Sequence, residues 1–344
     1  MTNTVSVVIP CYNYAGYLAG CVQSALAQDG VDVRVLVIDD ASSDDSAQVA
    51  ELLSRLDERV EVRVHAVNQG HIPTFNEGLT WASGDYTVLL SADDLLLPGA
   101  LRRAVDAMNR FPRVGLVYGH AIRHRGVDRP VPRSGAPRRR VWPGEEWIRL
   151  RCRQGVNTIC SPEVVVRTHL QREVGGYRID LPHTGDLEMW MRLAARCDVL
   201  YLGGVDQAVY RIHAQSMSRT DFGSVVADLR ERQAAFDAFF ASDPPISEPD
   251  QLNALARRAL AREALSLACR AYDRRNPLVP VDDLVAFATA ACPDARQLPE
   301  YRGLAWRRSV GTRLTPYLQP LALRANLRAV RRRADPQLRR WRGV

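Results

Sequence analysis

The 344-residue sequence predicts an α/β protein in which an open, mostly parallel sheet flanked by helices precedes a mainly helical C-terminal region. Through residue 120, short β-branched and aliphatic runs alternate with segments of helical periodicity, a pattern typical of parallel sheets. Acidic or serine-rich turns follow several of these runs, as expected where strands end. Beyond Gly223 the apolar residues recur almost wholly at helical spacing.

Hydrophobic periodicity places each element of the first half. Apolar runs, and one alternating run that suits a half-exposed strand, predict strands at 5–10, 33–38, 60–67, 86–90 and 114–120. Helical spacing predicts helices at 17–28, 45–56, 74–82 and 99–111. An acidic, serine-rich run offers an N-cap to the second helix, and Pro98 suits the start of the fourth.

The second half is less regular. Residues 121–143 are rich in arginine and proline, which predicts a mobile loop. Helical and strand-like pieces continue to His213. Four helices are then expected, at 225–240, 249–272, 281–291 and 320–333.

The net charge of +7 is unevenly distributed, and every basic residue is an arginine because the sequence contains no lysine. Residues 1–120 hold 8 Arg and 15 acidic side chains, whereas residues 301–344 hold 12 Arg and one acidic side chain. A second basic segment covers 121–153, with 10 Arg and 3 acidic side chains. The chain is therefore an acidic body with two basic segments, so the basic average does not indicate a nucleic-acid partner. The missing lysine excludes P-loop and Schiff-base chemistry.

The cysteines and the N-terminal residues bear on the cellular compartment in which the protein is expected. Seven scattered cysteines form no CxxC pair and no zinc-type spacing, which indicates free thiols in a reducing environment. No leader pattern opens the sequence, and no uncharged apolar run reaches the length of a membrane span. We expect a cytoplasmic protein, with peripheral contact at the inner membrane face as a possibility for its basic tail.

Acidic pairs follow two predicted strands. Asp39 and Asp40 end the second strand, and Asp93 and Asp94 follow the strand at 86–90. Ligands of open α/β sheets bind beyond the carboxyl ends of the strands. No GxGxxG or GxxxxGK[ST] motif occurs at these turns, so dinucleotide and P-loop sites are unsupported.

An ordered series of short motifs resembles family 2 glycosyltransferases, which are inverting enzymes with a GT-A fold. The series comprises VVIPCYN at 7–13, IDDASSD at 38–44, NQG at 68–70, NEGL at 76–79, GDY at 84–86, LSADD at 90–94 and GDLEMW at 185–190. The resemblance covers roughly residues 4–218. It implies a GT-A nucleotide-binding mixed sheet flanked by helices, with a catalytic domain at 1–222 and a helical region with an Arg-rich tail at 223–344. Within the catalytic domain it implies a nucleotide-sugar half at 1–120 and an acceptor half at 121–222.

The resemblance assigns the metal to Asp93, the last residue of the family's D-x-D motif. Divalent cations prefer carboxylate oxygens and can bridge a diphosphate, so Mn²⁺ or Mg²⁺ is expected here. The first position of the motif is Ser91, which removes one negative charge. His213 could complete the metal shell and Arg211 could neutralise phosphate. Alternatively, His213 lies in an ordinary surface loop.

The donor nucleotide is expected to contact the two turns nearest the N-terminus. Asp40, and secondarily Asp39, would accept a hydrogen bond from N3–H of a uracil- or thymine-type base, and a cytosine ring would be rejected because it lacks that donor. Further donor contacts are expected from Pro10, Tyr12 and Ala92. An N-cap cluster is the alternative for the aspartates.

Asn76 has two open interpretations. It falls inside a predicted helix, where a structural role and a donor contact are equally open. Many relatives carry arginine just before this asparagine, but this chain has Phe75.

Asp186 is the expected catalytic base. Inversion needs a base on the face of the sugar opposite the leaving group, where it deprotonates the acceptor as it attacks. Helical spacing places Trp190 on the same face as Asp186 and Glu188 away from it. We expect Glu188 to be solvated or to support the site indirectly, and Trp190 to lie in the core. A helix N-cap is the alternative for Asp186.

The sequence thus predicts a metal-dependent inverting glycosyltransferase that uses a nucleoside-diphosphate sugar (UDP- or dTDP-type) and a hydroxyl acceptor, which could be a glycan, a natural product or a peptide. The alternative is a GT-A-like adaptor with weak catalysis that acts through its helical, basic C-terminal half at a membrane or a protein. Ser91 and the Arg-rich tail motivate that alternative. The tail helix at 320–333 could lie on anionic lipid, dock on the acidic body or remain solvated.

Overall fold

A computed structural model describes residues 3–126, 130–213, 224–276, 278–312 and 314–315. The described residues form two compact units. The first contains those up to 147 together with 158–213, and the second contains 148–157 and those from 224 onward. The predicted helix at 320–333, the Arg-rich tail beyond residue 315 and the segment 214–223 lie outside the described residues.

The first unit is built on an eight-stranded mixed sheet. Its strands, in spatial order, are β3 (Val60–Val64), β2 (Asp32–Asp39), β1 (Thr4–Cys11), β4 (Tyr86–Leu89), β9 (Val165–Arg167), β6 (Val114–Tyr118), β10 (Asp198–Val205) and β8 (Ser134–Trp142). The pairs among β3, β2, β1 and β4 are parallel, and so is β6 with β10. The antiparallel β9 joins these two parallel groups, and β8 adds an antiparallel edge.

Helices cover both groups of parallel strands. They are α1 (Ala15–Leu26), α2 (Ser46–Leu56), α3 (His71–Trp81), α4 (Ala100–Arg110), α5 (Gly144–Gln154), α6 (Thr168–Val174) and α7 (Gly185–Ala194). The core between the sheet and these helices consists of fully buried Val, Ile and Leu side chains from β1 and β2 with apolar side chains of α1 and α4. Burial of this kind contributes roughly 25 cal/mol per Å² of apolar surface, which fixes the strand ends that carry the polar side chains.

A three-stranded sheet lies beside the main one, in the order β5 (Leu95–Leu96), β11 (Ala208–Arg211) and β7 (Ala121–His124). β11 pairs antiparallel with β5 and parallel with β7. This sheet matters for function because it brings Arg211, distant in sequence, next to the residues that precede β5.

The second unit is helical in its described residues. It contains α8 (Val225–Ala241), α9 (Pro249–Asp273), α10 (Val281–Ala291) and α11 (Pro299–Val310), with the last residues of α5. α9 packs against the other three helices through buried alanine and leucine side chains. Among the described residues, no helix is both long enough and apolar enough to span a membrane.

The sequence-based fold class is confirmed, and most element boundaries shift by three residues or fewer. The expected mobile loop at 121–143 is wrong, because β7 and β8 occupy most of it. β8 pairs residue by residue with β10, from Val199↔Trp142 to Gly203↔Arg138. Its arginines suit an exposed edge strand, since charged side chains there discourage pairing with other chains.

Candidate active site

The predicted functional residues of the first half meet at one edge of the main sheet. β1, β2 and β4 run parallel in register, with Cys11 opposite Asp39 and Val8 opposite Leu89. Their carboxyl ends therefore present the turns at 11–15, 40–46 and 90–94 together, as expected for an α/β ligand site.

The first two of these turns are tied to each other by side-chain hydrogen bonds. The side-chain oxygen of Asn13 accepts from the backbone N–H of Ser43 at 2.8 Å, and the backbone N–H of Asn13 donates to Ser42 Oγ at 2.9 Å. Asn13 and Ala41 both have positive φ, 58° and 57°. Polar contacts between residues about 30 positions apart thus hold these two turns together at this edge.

Asp40 is fully engaged within the protein. Its carboxylate accepts hydrogen bonds from the backbone N–H of Gln69 at 2.8 Å and of Gly70 at 2.9 Å. A third bond comes from His65 Nδ1 at 2.7 Å, and the other ring nitrogen of His65 contacts Glu77 Oε2 at 2.8 Å. Asp40 is 4% exposed, so its contacts build the loop that precedes α3.

One carboxylate oxygen of Asp39 has no hydrogen-bond donor. Its Oδ1 accepts from the backbone N–H of Ser42 at 3.0 Å, whereas Oδ2 is buried and has no hydrogen-bond partner. A buried carboxylate oxygen without a donor is costly unless a ligand supplies one. The carboxylate oxygen left without a donor is therefore on Asp39 rather than on Asp40, the residue that the sequence placed first.

The remaining expected donor contacts differ in exposure. Pro10 and Ala92 are buried, so only their backbone atoms or surfaces could line the site, while Tyr12 is 48% exposed. Cys11 ends β1 nearby, and burial raises the pKa of its thiol to about 12. It is therefore a neutral thiol near pH 7 and no candidate nucleophile.

Asp93, Asp94, Arg211 and His213 form one cluster. His213 Nε2 lies 2.9 Å from Asp93 Oδ2, and Arg211 Nη1 donates to the backbone carbonyl oxygen of Asp93 at 2.8 Å. Asp94 Oδ1 accepts from the backbone N–H of Arg211 at 2.9 Å. The structure thus brings together three residues that the sequence assigned to metal and phosphate, and it adds Asp94 as the side chain that holds β11 in place.

Burial dominates the electrostatics of this cluster. It raises the pKa of Asp93, an effect that the hydrogen bond from His213 moderates. Burial and the neighbouring charge of Asp93 raise the pKa of Asp94 well above its ordinary value. Two buried carboxylates this close favour the arrival of a positive charge, which would lower both pKa values.

Two tyrosines of the α1 region complete the cluster and were missed in the sequence. Tyr17 stacks on His213, with ring centroids 5.0 Å apart, and the Arg211 guanidinium lies 5.2 Å from the Tyr17 ring centroid. Tyr14 meets His213 edge-on at 5.6 Å. Burial, together with Asp93 and Asp94, raises the pKa of Tyr14. Only their position at the start of α1, just after the IPCYN motif, could have suggested them.

One oxygen and one nitrogen atom that could bind a metal therefore lie together, Asp93 Oδ2 and His213 Nε2. Among the described residues, no group of three or more His, Cys, Asp or Glu side chains is arranged to hold a metal ion. The set fits a divalent cation whose remaining ligands come from a diphosphate or from water, since such ions commonly keep water and substrate phosphates.

Asp186 lies in the first turn of α7, whose N-cap is Thr184. It is not the N-cap itself, and its Oδ1 accepts from the backbone N–H of Leu187 at 2.8 Å. The positive end of the helix dipole favours the charged carboxylate here. Trp190, one turn on, is 3% exposed and belongs to the core, in agreement with the sequence.

Glu188 is not solvated. It is fully buried and accepts two hydrogen bonds from Arg192 Nε, at 2.8 and 3.0 Å. The same guanidinium donates to the backbone oxygens of Val174 and Gly176. A buried carboxylate must be paired, and Glu188 is paired with Arg192. Glu188 therefore supports the turn that leads into α7 through this arginine.

Asn76 contacts protein backbone with both ends of its amide. Its Oδ1 accepts from the backbone N–H of Tyr177 at 2.6 Å, and its Nδ2 donates to the carbonyl oxygen of Tyr177 at 2.9 Å. These contacts favour the structural role for Asn76 over the donor contact. Neighbouring Phe75 packs edge-on against the Tyr177 ring.

The family model "Glycosyl transferase family 2" matches residues 6–166. An uncharacterized glycosyltransferase from Nostoc sp. is 34% identical over 117 residues, 33% of this chain and 35% of the relative. A protein of Mycobacterium tuberculosis is 31% identical over 212 residues, 58% of this chain and 64% of the relative. The matched segment therefore spans about a third to two thirds of these relatives.

Among solved structures, TarS 1–349 from S. aureus in complex with UDP-GlcNAc superposes with a TM-score of 0.64. The identity is 15%, and the match covers 90% of this chain and 91% of that one. At this identity the likeness concerns the fold, and it confirms the GT-A type of architecture expected from the sequence.

Proposed function

We propose that this chain is a family 2 glycosyltransferase of the inverting kind that uses a nucleoside-diphosphate sugar, and the match of residues 6–166 to that family's model supports the proposal. The donor is of the UDP or dTDP type and the acceptor bears a hydroxyl group. The observation that carries the proposal is the cluster of Asp93, Arg211 and His213 at the carboxyl edge of the parallel strands. Acidic, basic and imidazole groups in one place suit a metal-bridged diphosphate.

In this proposal Asp93 and His213 would hold the divalent cation, Mn²⁺ or Mg²⁺. When bound, the cation would neutralise negative charge on the departing nucleoside diphosphate. Arg211 donates to the backbone carbonyl oxygen of Asp93, and its planar guanidinium suits contact with phosphate oxygens. Ser91 supplies no charge, so the site depends on Asp93 more than a D-x-D site would.

Recognition of the base is assigned to Asp39. Its unpartnered Oδ2 would accept the N3–H of uracil or thymine, and Asp40 would hold the surrounding loop. Cytosine offers an acceptor at N3 and would leave two acceptors facing each other, so the site would reject it. Tyr12, exposed at the end of β1, is placed to contact the base.

Asp186 acts as the general base. A carboxylate at the start of α7 can take the proton from the acceptor hydroxyl while that oxygen attacks the anomeric carbon. Attack from the face opposite the nucleotide inverts the configuration. We assign the catalytic domain to residues 1–222, with the acceptor bound mainly by 121–222, and the region 223–344 to a separate helical part.

A donor screen tests the proposal. UDP- and dTDP-sugars are incubated with the protein and Mn²⁺, and release of the nucleoside diphosphate is measured. Asp186→Asn and Asp93→Ala should each lower turnover at least about 100-fold, the scale of lost acid–base or electrostatic catalysis. Asp282→Asn and Asp106→Ala, at exposed carboxylates that pair with arginine away from these turns, are the matched controls and should retain wild-type turnover.

Turnover by both site variants at the wild-type rate would refute the assignment. Calorimetry with UDP separates the enzyme from a catalytically weak adaptor. An enzyme of this kind should give heat with UDP that depends on Mn²⁺, whereas an adaptor without a donor site should give none.

A further inference from the structure

The segment that leads into α7, residues 174–184, is held by side chains from two helices. From α7 itself, Arg192 donates to the carbonyl oxygen of Gly176 at 2.8 Å and also to that of Val174. From α3, Asn76 binds the backbone of Tyr177, and His71 Nε2 lies 2.9 Å from the carbonyl oxygen of Pro182. This segment ends directly before Asp186, so its position sets that of the proposed base.

The Asn76 contact is specific to an amide. The Tyr177 N–H needs an acceptor and the Tyr177 carbonyl needs a donor, and only an amide side chain offers both in one plane. These two hydrogen bonds also decide which atom of the Asn76 amide is oxygen and which is nitrogen. If the amide were flipped, its NH2 group would face the Tyr177 N–H and its oxygen would face the Tyr177 carbonyl oxygen. A carboxylate of the same shape would satisfy the N–H but repel the carbonyl oxygen.

The turn approaches Asn76 closely because residue 176 is glycine. A Cβ atom at Gly176 would lie 2.4 Å from Asn76 Oδ1, well inside van der Waals contact, and the next two nearest atoms also belong to the Asn76 amide. Glycine and asparagine are therefore matched at this contact.

α3 is a rigid support for these bonds. A Cβ atom at Gly78 would lie 2.0 Å from Val8 Cγ1, so the helix lies directly on β1, and Ile72 and Leu79 are buried beneath it. Close packing of this kind leaves little room for the helix to shift. The side chains of α3 are therefore held at fixed positions relative to the main sheet.

The next residue of α3 faces the donor side. Glu77 accepts hydrogen bonds from His65 at 2.8 Å and from Arg63 at 3.1 Å, and His65 in turn binds Asp40. Consecutive residues of a helix point about 100° apart, so Asn76 and Glu77 reach different neighbours. One helix thus touches both the loop behind Asp39 and the segment before Asp186.

We propose that Asn76 is a positioning residue for catalysis, which holds the 174–177 turn so that Asp186 is placed correctly against the donor. Glu77 has the corresponding role for the donor-side loop. This inference rests on the proposed function, because it concerns the position of the proposed base.

The test separates turnover from donor binding. Asn76→Asp should lower kcat for donor turnover about 10- to 100-fold, the scale of a misplacement near 1 Å, and should leave the Kd for UDP with Mn²⁺ within twofold of wild type. Asn109→Asp makes the same substitution on the exposed face of α4 and should change neither quantity. A kcat within twofold of wild type, or a loss of UDP affinity equal to the loss of kcat, would overturn the proposal.

A second set of variants probes the contact from its other side. Gly176→Ala should lower kcat because its methyl group displaces the Asn76 amide. In the double variant Gly176→Ala/Asn76→Ala the methyl group has room, so kcat should be no lower than in Asn76→Ala alone. Losses that multiply in the double variant would show that the two residues act independently and would contradict the proposal.

Glu77→Gln should have the opposite pattern of effects on UDP affinity and kcat. It should weaken UDP binding several-fold while kcat at saturating donor stays near wild type. Loss of kcat without loss of UDP affinity in this variant would contradict the division of roles on α3. Failure of the proposed function is seen separately, in the wild-type protein, as no turnover of any donor, and that outcome would overturn both proposals.

Discussion

Two pairs of consecutive aspartates lie at the same edge of the sheet, and the structure uses their members differently. Asp40 and Asp94, the second residue of each pair, bind backbone N–H groups and hold loops and strands in place. Asp39 and Asp93, the first residue of each pair, direct an oxygen to the site. Asp39 keeps an unpartnered buried oxygen, and Asp93 faces His213.

The comparison teaches that a doubled aspartate supplies one structural and one ligand-facing carboxylate. The reason is geometric, since neighbouring side chains on an extended or turning backbone point in different directions. Both oxygens of Asp40 and one oxygen of Asp94 accept from backbone N–H groups. Asp39 accepts one such bond but keeps its second oxygen without a donor. The two pairs also differ in which member binds a histidine, because His65 binds the structural Asp40 whereas His213 binds the ligand-facing Asp93.

The largest expected effect distinguishes Asp93 from Asp94. Asp93→Asn should lower donor turnover about 10²- to 10³-fold, because it removes the charge that we assign to cation binding. Asp94→Asn keeps the oxygen that accepts from Arg211 N–H and should lose less than tenfold. Steady-state turnover of both variants with Mn²⁺ checks this, and equal losses would abolish the distinction within the pair.

A smaller effect distinguishes Asp39 from Asp40. Asp39→Asn should weaken UDP binding by about 1–3 kcal/mol, the cost of an unmade buried hydrogen bond, with little change in stability. Asp40→Asn should instead lower the free energy of unfolding by a similar amount, because Gln69, Gly70 and His65 cannot all donate to an amide. Calorimetry with UDP and urea unfolding measure the two quantities. Should Asp40→Asn alone lose UDP affinity, the base contact belongs to Asp40, as the sequence first suggested.

The smallest effect concerns pH. Burial opposes protonation of His65, but hydrogen bonds to Asp40 and Glu77 more than offset it, so the pKa of His65 is raised. A raised pKa means that its contribution to stability is complete below the unfolded pKa of about 6.5 and is lost as pH rises through the folded pKa.

We therefore expect the stability difference between wild type and His65→Gln to shrink as pH rises from 6 to 9. Urea unfolding across that range measures it, and His169→Gln, at an exposed histidine, should show no such trend. A difference that stays constant or grows would mean that His65 is not held protonated by the two carboxylates.

Much of the fold and site could be read from the sequence. Strands β1 to β4 and β6 and the helices α1 to α4 and α8 to α10 follow from apolar periodicity, whereas α5, α6 and α11 were not predicted. The motif order indicated the family and its GT-A fold. Asp93, Arg211 and His213 were named from motifs and are found in contact. The roles of these residues stay predictions until the variants are measured.

Other features could not be read locally. The arginine-rich segment at 121–143 resembles a loop in composition, but pairing with β10 makes part of it a strand. Glutamate is usually exposed to solvent, yet Glu188 is fully buried and is hydrogen-bonded to Arg192, which also binds the turn at 174–176. Propensity describes a residue's own neighbourhood, and tertiary pairing overrides it.

The sequence by itself determined the kind of chemistry, because carboxylates, an imidazole and a guanidinium at strand ends limit what such an edge can bind. Only the tertiary structure decided which carboxylate is available. Asp40 and Asp94 are consumed by backbone groups far away in sequence, and Asn76 turns toward Tyr177 instead of toward a donor. Hydrogen-bond partners are set by proximity in space, which local sequence does not specify.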